Sequence, residues 1–369
     1  YTTLFRSKNG EVFNGADDEY NTESYLSRLR YNYNEKYFFD ASFRRDGSSN
    51  FGPKNRWASF HSGAASWRFT NESFMEDLRS VINNGKLRIG WGQTGNQSMN
   101  GYLWGASINK METGLGIAYR PSNIANPYLQ WETQTQTNLG LDLGLLENRI
   151  ELTVDLYKKV SANMLMQVDL PSYMGSKGNS SSALAAPWGN IGKLENKGLE
   201  IALTTHNVKS KSFQWDTETQ ISFNKNKLLG MTGTSATAIE GYGQWIDVVS
   251  HTEVGQPLYN FYGYKVVGIY QDKADLENYT NSLGNRVTPK SPATSTKPWS
   301  RTNTTYVGDL KYEDVNLDGR IDENDRTNLG SPMPIFTFGF NNTFHYKNFD
   351  LNVFINGSYG NKILNYSAI

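Results

Sequence analysis

The stretch from Gly308 to Gly360 reads GDLKYEDVNLDGRIDENDRTNLGSPMPIFTFGFNNTFHYKNFDLNVFINGSYG, and its second half predicts the fold. Apolar and polar side chains alternate along two runs that meet at Lys347 and Asn348, which predicts a β-hairpin with a tight turn. Such a hairpin faces a core in a soluble sandwich, or lipid in an outer-membrane barrel. The apolar face carries Phe336, Phe338, Phe340, Phe344, Phe349, Leu351, Val353 and Ile355, and the polar face carries Thr337, Gly339, Asn341, Thr343, Asp350, Asn352 and Asn356.

The first half of the same stretch is an acidic loop whose oxygen-bearing side chains have the spacing of a calcium site. Gly319 stands where such a loop turns sharply, and Asp325 replaces the usual final glutamate. The spacing predicts a weak Ca²⁺ site of the roughly 10⁻⁴–10⁻³ M class. The alternative is a solvated turn neutralised by Arg320 and Arg326. The predicted ligands are Asp314, Asn316, Asp318, the backbone carbonyl of Arg320, Asp322 and Asp325.

Composition separates several classes of protein. The chain of 369 residues has 36 Lys and Arg against 36 Asp and Glu, so no net charge favours nucleic acid as a partner. Cysteine is absent, which excludes disulfides, thiolate nucleophiles and cysteine metal sites. The 22 Tyr, 18 Phe and 9 Trp suit the aromatic girdles of a membrane barrel. No apolar stretch has the length of a transmembrane helix.

Period-two alternation recurs along the chain and predicts ten principal strands. Tight turns are expected near residues 35, 148, 210 and 347, and one short helix over 71–80 with Thr70 or Asn71 as its N-cap. Long connections are expected at 46–56, 96–133, 162–196 and 225–333, with one strand-like piece at Phe261–Tyr270. Because short turns alternate with long loops, the pattern favours an antiparallel outer-membrane barrel with its long loops outside.

The chain resembles the SusC/RagA family of TonB-linked outer-membrane transporters. No single motif is decisive, but the motifs follow one another along most of the chain. His61 stands where a proline is expected, and Leu317 where a glycine is common. The motifs are Arg44-Arg45-Asp46-Gly47-Ser48-Ser49, Asn55-Arg56-Trp57, Lys86 to Asn96, Asn126-Pro127, Trp131-Glu132, Gly189-Asn190-Ile191-Gly192, Glu195 to Glu200, Glu253 to Pro257, Phe261 to Tyr264, and the opening stretch itself.

The resemblance implies a barrel of about 22 strands with an N-terminal plug. Residues 1–369 would be part of that one barrel, with 225–333 as a long extracellular excursion. The chain opens at Tyr1 without a targeting signal, so we expect a segment of a longer protein that lacks the plug and the last strands. The resemblance also implies energy from TonB-ExbB-ExbD through the missing N-terminal region. A SusD-like lipoprotein and an oligosaccharide or oligopeptide cargo are implied in the same way.

No catalytic site is expected, because the four histidines are scattered and no nucleophile and base have a supporting spacing. Aromatic residues in the long loops are candidates for contact with cargo or with a lid protein, since Trp and Tyr favour interfaces. The alternative is packing among the loops themselves. These candidates are Trp104, Tyr119, Trp188, Tyr242 and Trp245.

Alternation also predicts which side chains face lipid and which face the lumen. A soluble or surface-attached all-β carbohydrate-binding or adhesin module with a calcium loop remains an alternative, as does a passive porin or an outer-membrane enzyme. The lipid-facing set is Leu141, Leu143, Leu152, Val154, Phe338 and Val353, and the lumen-facing set is Asp142, Thr153, Asp155, Asn341 and Asn352.

Overall fold

The structure is a computed structural model of the chain. It describes residues 4–6, 12–14, 20–97, 103–168, 184–231, 238–242, 248–288 and 305–365.

The described residues are mostly β-strands, numbered here in chain order. Ten of them are long and belong to one sheet, whereas the others are short. The strands are β1 (Leu4–Arg6), β2 (Val12–Asn14), β3 (Thr22–Tyr33), β4 (Tyr37–Ser48), β5 (Trp57–Trp67), β6 (Ile82–Asn96), β7 (Ile108–Thr113), β8 (Gly116–Pro121), β9 (Glu132–Leu145), β10 (Ile150–Gln167), β11 (Trp188–Lys209), β12 (Phe213–Met231), β13 (Ala238–Tyr242), β14 (Val248–Glu253), β15 (Phe261–Tyr264), β16 (Val266–Ile269), β17 (Leu310–Tyr312), β18 (Arg326–Gly330), β19 (Phe336–Tyr346) and β20 (Phe349–Tyr359).

Helical structure is sparse in the described part of the chain. One α-helix, α1, spans Lys273–Asn278 and begins at Asp272, whose side chain accepts a hydrogen bond from the backbone N–H of Asp275. Three short 3₁₀ turns span Phe69–Asn71, Ser73–Leu78 and Glu323–Asp325. No helix among the described residues combines the length and apolarity needed to span a membrane.

The ten long strands form one antiparallel sheet in the order β20-β19-β12-β11-β10-β9-β6-β5-β4-β3. Tight turns with left-handed residues join neighbouring strands, as the twist of a hairpin requires. Asn34 and Glu35 have φ of 50° and 53° between β3 and β4, and Lys347 has φ of 54° between β19 and β20. Within the described residues β3 and β20 are the two edges, so the sheet is open and does not close on itself. The predicted all-β antiparallel fold is confirmed.

The chain divides into two compact units. The first, Tyr1–Thr237 with Phe336–Gly357, holds the long sheet. The second, Ala238–Ile335 with Ser358–Ile369, has its own four-stranded sheet in the order β13-β14-β15-β18, a β16-β17 pair and α1. The expected long excursion therefore contains a folded unit with several strands, where one strand-like piece had been predicted.

Little of the first unit is buried as in a globular core. The main buried cluster joins Phe51, Phe60 and Trp131, with ring centroids of Phe51 and Trp131 5.1 Å apart and those of Phe60 and Trp131 5.8 Å apart. Asn55 fixes the chain beside this cluster, because its side-chain amide donates to the carbonyl of Leu129. Phe51 lies in the connection between β4 and β5, Phe60 lies in β5, and Trp131 directly precedes β9. The broad faces of the sheet are mostly exposed or half-buried.

Several predicted boundaries are wrong. The expected helix over 71–80 is a 3₁₀ turn at Ser73–Leu78 preceded by Glu72, and neither Thr70 nor Asn71 is its N-cap. The connection at 96–133 contains the hairpin of β7 and β8. These strands have six residues each, which is too few for alternation to be recognised in the sequence. The expected loop at 162–196 is much shorter, because β10 continues to Gln167 and β11 already begins at Trp188. Residues 169–183 of that loop lie outside the described residues.

Candidate functional site

One face of the long sheet carries a continuous apolar band. Direct cross-strand partners place six apolar residues side by side on six neighbouring strands. The side chains of this row are exposed or half-buried: Leu87 is 41% exposed and Phe338 is 38% exposed, and the other four are half-buried. An exposed apolar surface that crosses many strands is typical of the lipid-facing wall of a membrane barrel. The row is Leu87, Leu141, Val154, Ile201, Ile221 and Phe338.

The opposite face is polar and ion-paired. Arg88 donates to both carboxylate oxygens of Asp142 at 2.7 and 2.8 Å, and its second nitrogen also lies 3.1 Å from Asp155. Gly140 sits between them, and a Cβ at this position would lie 2.5 Å from the Asp155 carboxylate. Thr153 shares this face and donates to Asp142 at 3.4 Å. Charged groups that are paired and partly exposed fit a wall that lines a water-filled lumen.

The predicted division of residues between two faces agrees with this register. Leu141 pairs with Val154 and Leu143 with Leu152, whereas Asp142 pairs with Thr153. On the last hairpin Phe338 pairs with Ile221, Asn341 pairs with Glu218, and Asn352 donates to Thr343 at 3.0 Å. Contact of one set with lipid and of the other with the lumen stays a prediction.

Aromatic side chains gather at the tight-turn end of the sheet. Trp67 packs against Phe69 and Phe74, with ring centroids 5.8 and 6.4 Å apart. On neighbouring strands Trp215 and Phe344 stack at 5.7 Å. Aromatic girdles at this level are typical of the boundary between lipid and water.

Glu72 links three residues at this aromatic end of the sheet through hydrogen bonds. Its carboxylate accepts hydrogen bonds from Lys36 Nζ at 2.9 Å, Tyr37 Oη at 2.7 Å and Trp67 Nε1 at 3.2 Å. The hydrogen bond from Lys36, followed by those from Tyr37 and Trp67, lowers the pKa of Glu72 to about 2. Because the folded pKa is depressed, this stabilisation is present above the ordinary value of 4.5 and is lost as the pH falls towards about 2.

In the second unit the acidic loop is a closed turn built on two buried carboxylates. Asp314, 2% exposed, accepts hydrogen bonds from the backbone N–H groups of Asp318 and Gly319 and from the side chain of Asn281. Asp325, fully buried, accepts from the N–H groups of Val315, Asn316 and Asp322 at 2.9, 3.4 and 2.7 Å. The two carboxylates thereby fix the two ends of the loop.

The remaining predicted ligands lie on the same loop. Asn316 donates to Asp318 at 3.1 Å, Arg320 donates its N–H to Asp318 at 2.8 Å, and Asp322 accepts from the N–H of Asn324. Leu317, the position where the resemblance favours glycine, has φ of 64°, a left-handed conformation that explains the preference. Among the described residues no group of three or more His, Cys, Asp or Glu could hold a metal ion. Calcium binding therefore stays a prediction.

The predicted aromatic contact residues lie on separate connections. Trp104 precedes β7 and is half-buried, and Tyr119 on β8 is 66% exposed. Trp188 begins β11, and its carbonyl accepts from the side chain of Asn126 at 2.7 Å. Tyr242 ends β13, with its side chain outside the described residues, and Trp245 lies outside them altogether. Their contact with cargo or with a lid stays a prediction.

The two-faced antiparallel sheet, with tight turns joining its strands, defines a segment of a transmembrane β-barrel. The chain belongs to the TonB-dependent receptor family: residues 1–356 match the family model described as TonB dependent receptor-like, beta-barrel. This finding confirms the resemblance stated from the sequence.

Curated relatives place the chain within a longer kind of protein. It is 34% identical over 354 residues to TonB-dependent receptor P3 of Formosa agariphila, covering 94% of this chain and 32% of that protein. It is 30% identical over 356 residues to TonB-dependent receptor SusC of Bacteroides thetaiotaomicron, covering 92% of this chain and 31% of SusC. The chain thus spans about a third of the length of the curated relatives it matches.

Solved structures agree on the fold. The RagAB peptide transporter superposes with a TM-score of 0.70 at 22% identity, over 91% of this chain and 33% of that chain. The RagAB peptide importer in its closed-closed state gives a TM-score of 0.71 at 22% identity, over 95% of this chain and 35% of that chain.

Proposed function

We propose that this chain is a wall segment of a TonB-dependent importer that carries an oligomeric nutrient, a glycan or a peptide, across the outer membrane. The observation that carries the proposal is the two-faced sheet. Its apolar row through Val154 suits lipid, and the paired charges around Arg88 suit an aqueous lumen. In this reading the chain has no catalytic role, and the rest of a longer protein supplies the plug and the TonB contact.

The relatives support transport and suggest the classes of cargo. RagAB is named as a peptide transporter, and SusC is named as a TonB-dependent receptor. We propose that a SusD-like surface lipoprotein acts as a lid over the exterior mouth. The second unit, Ala238–Ile335 with Ser358–Ile369, is the proposed exterior structure, because the long connections of an outer-membrane barrel lie outside the cell.

The experiment that tests the proposal uses the full-length protein expressed together with its candidate lipoprotein. Detergent should be required for extraction, the lipoprotein should co-purify, and transport of oligopeptides or oligosaccharides should depend on TonB. Extraction into water without detergent would instead indicate a soluble binding module. Transport that persists without TonB would indicate a passive porin.

Deletion of residues 231–244 is expected to weaken co-purification of the lipoprotein while the barrel still inserts. This segment contains the last residue of β12, Met231, and all of β13, a strand of the second unit, and residues 232–237 and 243–244 lie outside the described residues. Its loss should therefore alter the exterior surface more than the wall. Pull-down from detergent extracts, normalised to the inserted protein, measures the effect. Unchanged co-purification with loss of insertion would assign the segment to folding.

Calcium is expected to protect the acidic loop from proteolysis. The cation would be held by Asp314, Asn316, Asp318, the Arg320 carbonyl, Asp322 and Asp325, and it would offset the repulsion among the carboxylates. Cleavage within residues 309–333 should fall as Ca²⁺ rises through roughly 10⁻⁴–10⁻³ M.

Asp318→Asn provides the matched test of the ion. Asp318 is exposed, and an Asn at this position keeps an oxygen for the Arg320 N–H, so the loop should still close. Loss of the calcium response in this variant alone would support the ion. Cleavage of the unsubstituted protein that is indifferent to Ca²⁺ and chelator would leave a turn held by hydrogen bonds alone.

A further inference from the structure

The apolar band ends abruptly in a row of lysines. Lys158 on β10 pairs directly with Lys197 on β11, and Lys197 pairs directly with Lys225 on β12. One step nearer the tight turns, on the same face, the corresponding row is Leu156, Leu199 and Phe223. The surface therefore changes from apolar to cationic within two residues, or about 7 Å along the strands.

These lysines are part of the sheet and not of a flexible loop. β10 continues to Gln167, β11 begins at Trp188 and β12 continues to Met231. Each lysine is therefore preceded and followed by residues of its own strand that are paired with a neighbouring strand. All three side chains are exposed. The backbone register thus holds three ammonium groups side by side on one surface.

Among the described residues of the long sheet, this face carries more positive than negative charge at this level. Glu195 bridges two of the lysines, with its carboxylate 3.2 Å from Lys158 Nζ and 2.7 Å from Lys197 Nζ. Lys227, the cross-strand partner of Glu195, adds a fourth ammonium group on this face. Four positive charges against one negative charge leave three in excess. Like charges directly opposite each other destabilise a sheet, so the row needs an anionic counterpart.

The position of the row identifies that counterpart. Lys158 is eight residues beyond Ile150, the first apolar residue of β10. Eight residues span about 26 Å along the strand, or about 20 Å of height at the tilt of a membrane strand. An apolar band of a barrel is about 25 Å tall, so the backbone of Lys158 lies about 5 Å inside its upper limit, and the long lysine side chain spans the remaining distance to the lipid headgroups. The lysines stand at the end away from the tight turns, which is the exterior end in the proposed function.

We propose that Lys158, Lys197 and Lys225 form a binding site for the phosphate groups of a lipid in the outer leaflet. This inference rests on the proposed function, because it needs the sheet to stand in an outer membrane. Ammonium groups bind phosphate as point charges, and a basic residue near an anionic membrane surface contributes about fivefold in affinity. The bound lipid would cover the row and hold this part of the wall at a fixed depth.

The test compares the full-length protein with two variants in bilayers of phosphatidylcholine, with and without diphosphoryl lipid A. Lys197→Gln/Lys225→Gln removes two charges from the row. Lys159→Gln is the matched control, because Lys159 is adjacent to Lys158 but faces the other side of the sheet, opposite Gln136 and Asn196. Native mass spectrometry of protein released from the bilayers counts the retained lipid A molecules.

We expect the unsubstituted protein and Lys159→Gln to retain lipid A, and the double variant to retain it about 25-fold less tightly. A dephosphorylated form of the glycolipid should not be retained. Equal retention by the double variant, or no retention by the unsubstituted protein after it has inserted, would overturn the lipid site alone. Failure to insert into either bilayer would overturn the proposed function as well. If the double variant does not assemble, Lys225→Gln alone should show a loss of about fivefold.

Discussion

A full-length protein carrying Val154→Arg is expected to fail to insert into the outer membrane, whereas Thr153→Arg is expected to insert. Val154 lies in the middle of the apolar row, between Leu141 and Ile201. An arginine on the lipid side near the midplane costs about 2–4 kcal/mol. That cost corresponds to a roughly 30- to 800-fold loss of correctly assembled protein.

Thr153→Arg is a demanding control, because it adds the same side chain one residue away. Position 153 faces Asp142, which already accepts from Thr153 and from Arg88, so a new guanidinium there meets a carboxylate and water. The measurement is the fraction of protein in the outer-membrane pellet that resists urea extraction. Equal loss in both variants, or a greater loss for Thr153→Arg, would contradict the assignment of the two faces.

Asp325→Ala is expected to open the acidic loop and expose residues 309–333 to protease. The substitution removes the acceptor of three backbone N–H groups, those of Val315, Asn316 and Asp322, in a fully buried position. Each hydrogen bond to a carboxylate acceptor contributes about 1.5–3 kcal/mol, so the loop should lose most of its closed population.

Glu323→Ala is the matched control for this prediction. Glu323 is an exposed carboxylate on the same 3₁₀ turn, so its loss changes the charge equally and leaves the buried hydrogen bonds intact. Cleavage rates of the two variants should therefore differ strongly at the same calcium concentration. If both variants were cleaved like the unsubstituted protein, the loop would not depend on Asp325 for its shape.

The sequence predicted the strands better than their ends, and the reason is physical. The long connections were expected to begin at residues 162 and 225, but β10 and β12 continue to Gln167 and Met231. The backbone keeps its period of two beyond those points, whereas lysines replace apolar residues on the outer face. Loss of alternation therefore marked the upper edge of the apolar band and not the end of the strands.

The acidic loop shows a different limit of prediction from sequence. Ligand-like spacing grouped Asp314 and Asp325 in one loop around Gly319, which has the positive φ of a sharp turn in the structure. The spacing did not reveal that both carboxylates are occupied by backbone N–H groups. Nor did it reveal Asn281, which is 33 residues away and donates to Asp314. Long-range partners of this kind carry no local pattern.

The second unit escaped prediction for a related reason. Its strands are short, from three to six residues, and alternation over so few positions is indistinguishable from chance. The same length explains why the hairpin of β7 and β8 went unpredicted. Glu72 likewise gave no recognisable motif, since its partners are Lys36 directly before β4, Tyr37 at the start of β4 and Trp67 at the end of β5.

Cysteine scanning along β10 shows whether one face of the long sheet contacts lipid and the other contacts water. This chain contains no cysteine, so single cysteines from Leu152 to Tyr157 can be introduced into a full-length protein cleared of any others. Each would carry a spin label, whose collisions with oxygen in lipid and with a polar nickel reagent in water are measured in bilayers. We predict a period of two, with lipid contact at 152, 154 and 156 and water contact at 153, 155 and 157. Uniform water contact at all six positions, or the opposite phase, would contradict it.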